Sequence, residues 1–111
     1  MIQLTAHTRI LLATQAIDFR KGIDGIVAVC RQELDKEPRN GTYFVFINRS
    51  KTMIRVLVYD GTGFWLMTKR LSKGRFLGWP KDALSVSAME AKRLSRLVLG
   101  QDPSSVPLKI S

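Results

Sequence analysis

Two runs of alternating polarity, joined by a four-residue glycine turn, leave this chain few folds to choose from. In Met53–Tyr59, Ile54, Val56 and Val58 face one way while Arg55 and Tyr59 face the other. In Phe64–Leu71, Phe64, Leu66, Thr68 and Arg70 share one face, and Trp65, Met67, Lys69 and Leu71 share the opposite one. Between the runs stands Asp60-Gly61-Thr62-Gly63, whose glycines can supply positive φ and whose aspartate suits a turn. A period of two on both sides of such a turn specifies an antiparallel hairpin.

The flanking segments extend it. Tyr43–Ile47 is aromatic and β-branched, as strands prefer, and the polar link Asn48–Thr52 joins it to the hairpin as a meander. Ser72-Lys73-Gly74 is a further turn, with Gly74 at its tip, and Arg75-Phe76-Leu77 continues the meander until Trp79-Pro80 ends it. Ahead of the turn cluster Pro38-Arg39-Asn40-Gly41 the period is helical. Phe19, Ile23, Ile26, Val27, Cys30 and Leu34 make one stripe of a helix over 18–34, with Asp18 at its N-cap or first turn. Gly22 and Gly25 inside that helix each cost about 1 kcal/mol relative to alanine. They point to close approach of another backbone, either the sheet or a phosphate chain. Residues 9–13 read as a short first strand. A second helix spans about 88–99, opened by a Ser87/Glu90 capping box, buried through Leu94, Leu97 and Val98, and closed by Gly100. The expected fold is α+β: a short N-terminal strand and helix, an antiparallel β-meander, then a C-terminal helix, with the helices on one face of the sheet. Residues 1–100 form a single domain, and 101–111, with Pro103 and Pro107, form a loose tail.

Charge then narrows the function. The 111 residues hold 18 Lys+Arg against 9 Asp+Glu, a net +9. The eight bases between Arg49 and Lys81 meet a single acid, Asp60, so this third of the chain alone carries +7. Arg49 and Lys51 lie in one loop, and Lys73 and Arg75 flank the next. Strands of a meander alternate in direction, so both loops fall at the same end of the sheet. With Arg55, Lys69 and Arg70 they predict a surface that tracks a phosphate backbone. Tyr59, Trp65 and Trp79 offer rings for base stacking. The competing reading is solvated charge guarding an edge strand, with the rings in the core.

Catalytic chemistry finds little to work with. The chain has one histidine, His7, and one cysteine, Cys30, which sits on the apolar helix stripe. No phosphate-loop glycine motif is present. Asp18 and Asp24, six apart on a helix, would point about 240° from each other at 3.6 residues per turn. The reading is a protein without catalytic residues, metal or cofactor. No apolar run approaches the ~20 residues that span a bilayer, and no secretory leader pattern opens the chain. It reads as a soluble cytoplasmic protein without a membrane partner.

The run Asp18-Phe19-Arg20-Lys21-Gly22-Ile23-Asp24-Gly25 resembles a signature of the small second-reading-frame protein of insertion-sequence-sixty-six transposable elements. That family is often called TnpB and is distinct from the RNA-guided nuclease of the same name. Phe44-Val45-Phe46, Asn48-Arg49-Ser50-Lys51, Tyr59–Phe64, Lys69–Phe76 and Trp79-Pro80 follow in the family's order. The resemblance covers residues 9–100. Tyr59 stands where a tryptophan is more usual, and Leu77-Gly78 adds one residue before Trp79-Pro80. The resemblance implies a bacterial accessory protein encoded beside a larger transposase, its expected partner, and needed for efficient transposition, with no known enzymatic activity; DNA as a partner rests on the basic cluster. It directs attention to Arg20, Lys21, Asp24, Asp60, Lys69, Arg70, Gly74 and Arg75. The binding set read from charge and motif together is Arg20, Lys21, Arg49, Lys51, Arg55, Lys69, Arg70, Lys73 and Arg75. Gly22, Asp24, Gly25, Asp60, Gly61, Gly74 and Trp79 shape the scaffold. A binding surface for DNA and an adaptor surface for an acidic protein, carried by Arg20, Lys21 and Arg70, both fit these residues. The oligomeric state stays open.

Overall fold

A computed structural model describes residues 7–80, 86–88 and 91–98. Its elements are β1 (Ile10–Ala13), α1 (Ile23–Gln32), a 3-10 turn (Pro38–Asn40), β2 (Tyr43–Ile47), β3 (Met53–Tyr59), β4 (Phe64–Arg70), β5 (Val86–Ala88) and α2 (Ala91–Val98). The described strands form one sheet in the order β4-β3-β2-β1-β5. The expected meander is its β2-β3-β4 part, with Val45 opposite Val56 and Val56 opposite Met67. Glycines hold the turns: Gly41, Gly61 and Gly74 have φ of 80°, 99° and 80°, a region closed to most side chains.

The sheet is mixed. β1 pairs with β2 in parallel, Ile10 opposite Tyr43, because α1 carries the chain back between them. β1 is bordered on its other side by β5, antiparallel, with Leu12 opposite Ser87. Ser87 therefore lies in a strand and does not open the second helix as predicted. A three-residue strand is too short to show a period. Glu90 and Gly100, the other capping residues expected there, lie outside the described residues, as do the tail 101–111 and the side chains of Leu97 and Val98.

The helices do not share a face. β2 is buried throughout. Its Tyr43, Val45 and Ile47 join Ile10, Leu12, Ile54, Phe76, Trp79 and Leu94 of α2 in one core cluster. Phe44 and Phe46 join Ile26, Val27, Val29 and Cys30 of α1 in the other. A strand apolar on both sides needs cover on both sides, so α1 and α2 lie on opposite faces of the sheet.

The first helix is also shorter than its stripe. It begins at Ile23, with Gly22 as an N-cap that makes no side-chain cap bond. Asp18 does not cap it. Its carboxylate accepts from the Arg20 amide at 2.9 Å and from the Arg20 guanidinium at 2.7 Å, a local bond that competes with helical geometry. Phe19 leaves the helix stripe and packs against the cluster under α1. The glycines do not meet the sheet either. A Cβ at Gly22 would touch nothing within 4 Å, and one at Gly25 would lie 3.0 Å from the Lys21 side chain.

Arg75–Leu77 forms no strand. Gly74 turns the chain so that the Phe76 amide donates to the Lys51 carbonyl at 2.7 Å, and the ring enters the core. Trp79 follows it inward, and its Nε1 donates to the Ala13 carbonyl at 2.9 Å. The segment after β4 thus crosses one face of the sheet and is fastened to β1.

Candidate nucleic-acid interface

Three stretches far apart in sequence meet at one end of the sheet. The loop Asn48–Thr52 is built on Asn48, whose Oδ1 accepts from the amides of Thr52 and Met53 at 3.0 and 3.1 Å. That leaves Arg49 and Ser50 exposed at its tip and bends Lys51 to a φ of 60°. The turn 71–76 is bonded directly to this loop, Leu71 amide to Thr52 carbonyl at 3.0 Å and Phe76 amide to Lys51 carbonyl. On the other side, the Ile17 amide donates to the Ile47 carbonyl at 3.0 Å and draws residues 17–21 alongside. Lys69 and Arg70 sit at the same end, opposite Ile54 and Met53. Eight of the nine predicted basic residues therefore surround this end as surface cations: Arg20, Lys21, Arg49, Lys51, Lys69, Arg70, Lys73 and Arg75.

Arg55 belongs to the same end but is engaged. Its Nη1 donates to the Lys21 carbonyl at 2.9 Å, its Nε to Thr68 Oγ1 at 3.0 Å, and its guanidinium lies 4.8 Å from the centre of the Phe19 ring. It holds the 17–21 segment against the sheet, with its Nε and Nη1 donors spent inside the chain. Arg20 is paired with Asp18, whose carboxyl is held down at about 2 by the Arg20 side chain first and the Arg20 amide second, with Arg49 adding to both. Among the described residues no carboxylate lies within ion-pair distance of Lys21, Arg49, Lys51, Lys69, Arg70, Lys73 or Arg75.

Two clefts flank the 17–21 segment, and Ile17, Asp18, Arg20 and Arg49 line both. The first, about 660 Å³, lies beyond the carboxyl end of β1 and also borders Lys21 and Glu33. The second, about 640 Å³, opens toward Asn48, Ser50 and Arg55. Arg20 and Arg49 border both, with the Asp18 carboxylate between them.

The aromatic residues separate clearly. Trp79 is buried and Tyr59 packs on Phe64, their ring centres 5.0 Å apart, with its hydroxyl on the Gly61 carbonyl. Trp65 is 51% exposed, and its Nε1 donates to Asp60 Oδ2 at 2.7 Å. Asp60 spends its other oxygen on Thr62 and Gly63. These bonds, the Thr62 amide foremost and the Trp65 indole next, hold its carboxyl far below the usual range. Asp24 stands exposed in the first turn of α1, where a carboxylate favours the helix dipole. Cys30 is fully buried, and desolvation pushes its thiol up to about 12. Among the described residues no group of three or more His, Cys, Asp or Glu could hold a metal ion. No helix there is long and apolar enough to cross a membrane.

Sequence reasoning missed the Asp18–Arg20 pair, the Phe19–Arg55 stack and the Asp60–Trp65 bond. The close spacing of Asp18 and Arg20 was a visible signal for the first. Only the fold could bring Arg55 to Phe19.

The family model described as IS66 Orf2 like protein matches residues 8–107. The chain belongs to this family. Membership ties it to insertion sequences and gives it an accessory part in transposition, in a family not known for catalysis. Two relatives in Sinorhizobium fredii are similar along nearly their whole length. The uncharacterized protein y4jC is 36% identical over 109 residues, covering 98% of this chain and 92% of its own. The uncharacterized protein y4hO is 34% identical over 102 residues, covering 92% and 88%. No solved structure matches.

Proposed function

We propose that this family member is a non-catalytic accessory factor that contacts DNA through the basic end of its sheet and assists a separate transposase in moving the element. The supporting observation is the convergence at that end. Main-chain hydrogen bonds join segments 17–21, 48–52 and 71–76, and each brings cations without bringing a free acid. Charge assembled from three hydrogen-bonded segments at one end of the sheet fits a phosphate backbone better than charge spread over a solvated surface. Arg49, Lys51, Lys73 and Arg75 make the contact, Lys21 and Arg70 extend it, and Arg55 positions it. The protein works in the bacterial cytoplasm, on the nucleoid when bound to DNA.

A salt titration of binding to duplex ends of the element tests this. Log affinity falls linearly with log salt, by about 0.9 for each phosphate neutralised. Replacing Arg49, Lys73 or Arg75 by alanine lowers that slope by about one each. Absence of binding at low salt removes the DNA contact. Retention of the transposase on this protein in nuclease-treated extract, lost on charge reversal at Arg20, Lys21 and Arg70, would then identify an adaptor.

A further inference from the structure

We infer that two copies of this chain pair through the free edge of β4, antiparallel about a two-fold axis at Met67. Among the described residues, β4 is the end of the sheet and nothing bonds its outer side. The bonds from the Asp60 amide to the Gly63 carbonyl and from the Leu71 amide to the Thr52 carbonyl fix the parity of the β3–β4 ladder. Trp65, Met67 and Lys69 spend their main-chain groups on β3. Phe64, Leu66, Thr68 and Arg70 direct theirs outward.

That parity limits how a second β4 can dock. Outward groups must meet outward groups, so an antiparallel two-fold axis falls on a residue and not between residues. An axis at Met67 is the one that engages all of Phe64–Arg70. It pairs Phe64 with Arg70 and Leu66 with Thr68 through hydrogen bonds. Trp65 and Lys69 then occupy a non-hydrogen-bonded pair, where side chains come closest.

The side chains complement themselves in this register. Trp65 and Met67 are 51% and 37% exposed on one face of the strand, with Lys69 following on the same face. The axis sets each Trp65 ring against the partner copy's ammonium at position 69, a cation–π arrangement, and sets Met67 against itself. The long-range charge agrees. β4 has an acid, Asp60, at its hairpin end and Lys69, Arg70 and Lys73 at the other. Antiparallel docking brings acid to base at both ends, whereas parallel docking would stack like charges. The Asp60–Trp65 bond holds the indole in place beforehand. The partner is thus a second copy of this chain, and the product is one continuous sheet.

Sedimentation equilibrium of the full chain and non-reducing electrophoresis of cysteine variants test the inference. The chain is expected to show a concentration-dependent species of twice its 12.5 kDa mass. Met67→Lys, which places two ammonium groups on the axis, weakens that dimer at least tenfold. Cys30 is fully buried, so an introduced thiol is the reactive one. Met67→Cys cross-links to itself under mild oxidation, the facing Cα atoms lying within disulfide reach. Trp65→Cys cross-links to Lys69→Cys in a mixture and much less to itself. Leu77→Cys, more exposed than Met67 but off the strand, does not cross-link. A monomer even at millimolar concentration overturns the inference. So does a dimer that is indifferent to Met67→Lys and fails to cross-link at position 67.

Discussion

Arg55 donates from Nη1 to the main-chain oxygen of Lys21 at 2.9 Å, across a sequence separation of 34. The same guanidinium spans the Phe19 ring and Thr68. One side chain thus fastens the segment bearing Arg20 and Lys21 to the sheet. Arg55→Ala removes a charged hydrogen bond and a cation–π contact and costs about 2 kcal/mol, which lowers the melting temperature by several degrees. Arg55→Lys recovers little, because an ammonium lacks the planar fork that reaches all three partners. Calorimetry reads the loss. On the proposed contact Arg55 positions the Lys21 segment, so Arg55→Ala lowers the salt slope of DNA binding by at most about one, through Lys21.

Lys51 has a left-handed backbone, φ 60°, and lies in the basic loop. A non-glycine residue pays about 1 kcal/mol for that conformation. Lys51→Gly therefore raises stability in urea unfolding by up to about 1 kcal/mol and weakens DNA binding at the same time. Opposite signs for the two measurements identify a residue kept for its charge at the expense of local strain.

The elements with a clear period were legible. The β2-β3-β4 meander, its glycine turns and the apolar stripe of α1 follow from alternation and from spacing of three and four. The basic end was also legible, because strand direction alone places the loops at 48–52 and 71–76 together. Other features depended on distant partners. Val86–Ala88 is a strand only because β1 offers it an edge. Nothing near Arg55 in sequence shows Phe19 beneath it. The two-sided burial of Tyr43–Ile47 was present as an unbroken apolar run and could have signalled helices on both faces.

Acid loosens the hairpin through Asp60. Its carboxyl is held well below the ordinary 3.8 in the folded chain. The stability it contributes is complete above that ordinary value and drains away as pH falls toward the folded one. Asp18, held at about 2, acts in the same direction. Asp60→Asn loses the charged acceptor for Trp65, so its stability curve is lower near neutrality and flatter below pH 3.8. Tryptophan fluorescence during acid titration follows this directly, since Trp65 is the indole affected.

Trp79 joins two distant parts of the chain by one buried bond to Ala13. Trp79→Phe keeps most of the ring volume but leaves that carbonyl without its donor, at a cost of about 1–3 kcal/mol. Chemical denaturation measures it. Trp79→Ala adds a cavity and costs about 3–5 kcal/mol.

The position of β1 between β2 and β5 has a consequence for the order of assembly. Both neighbours of β1 are made after it, and the second arrives only when Val86–Ala88 has been synthesised. Until that segment docks, the N-terminal strand has one open side. Contacts of such long sequence separation slow folding and leave apolar strands exposed for longer. A chain cut before residue 86 would hold every piece of its basic end, with its first strand paired on one side only.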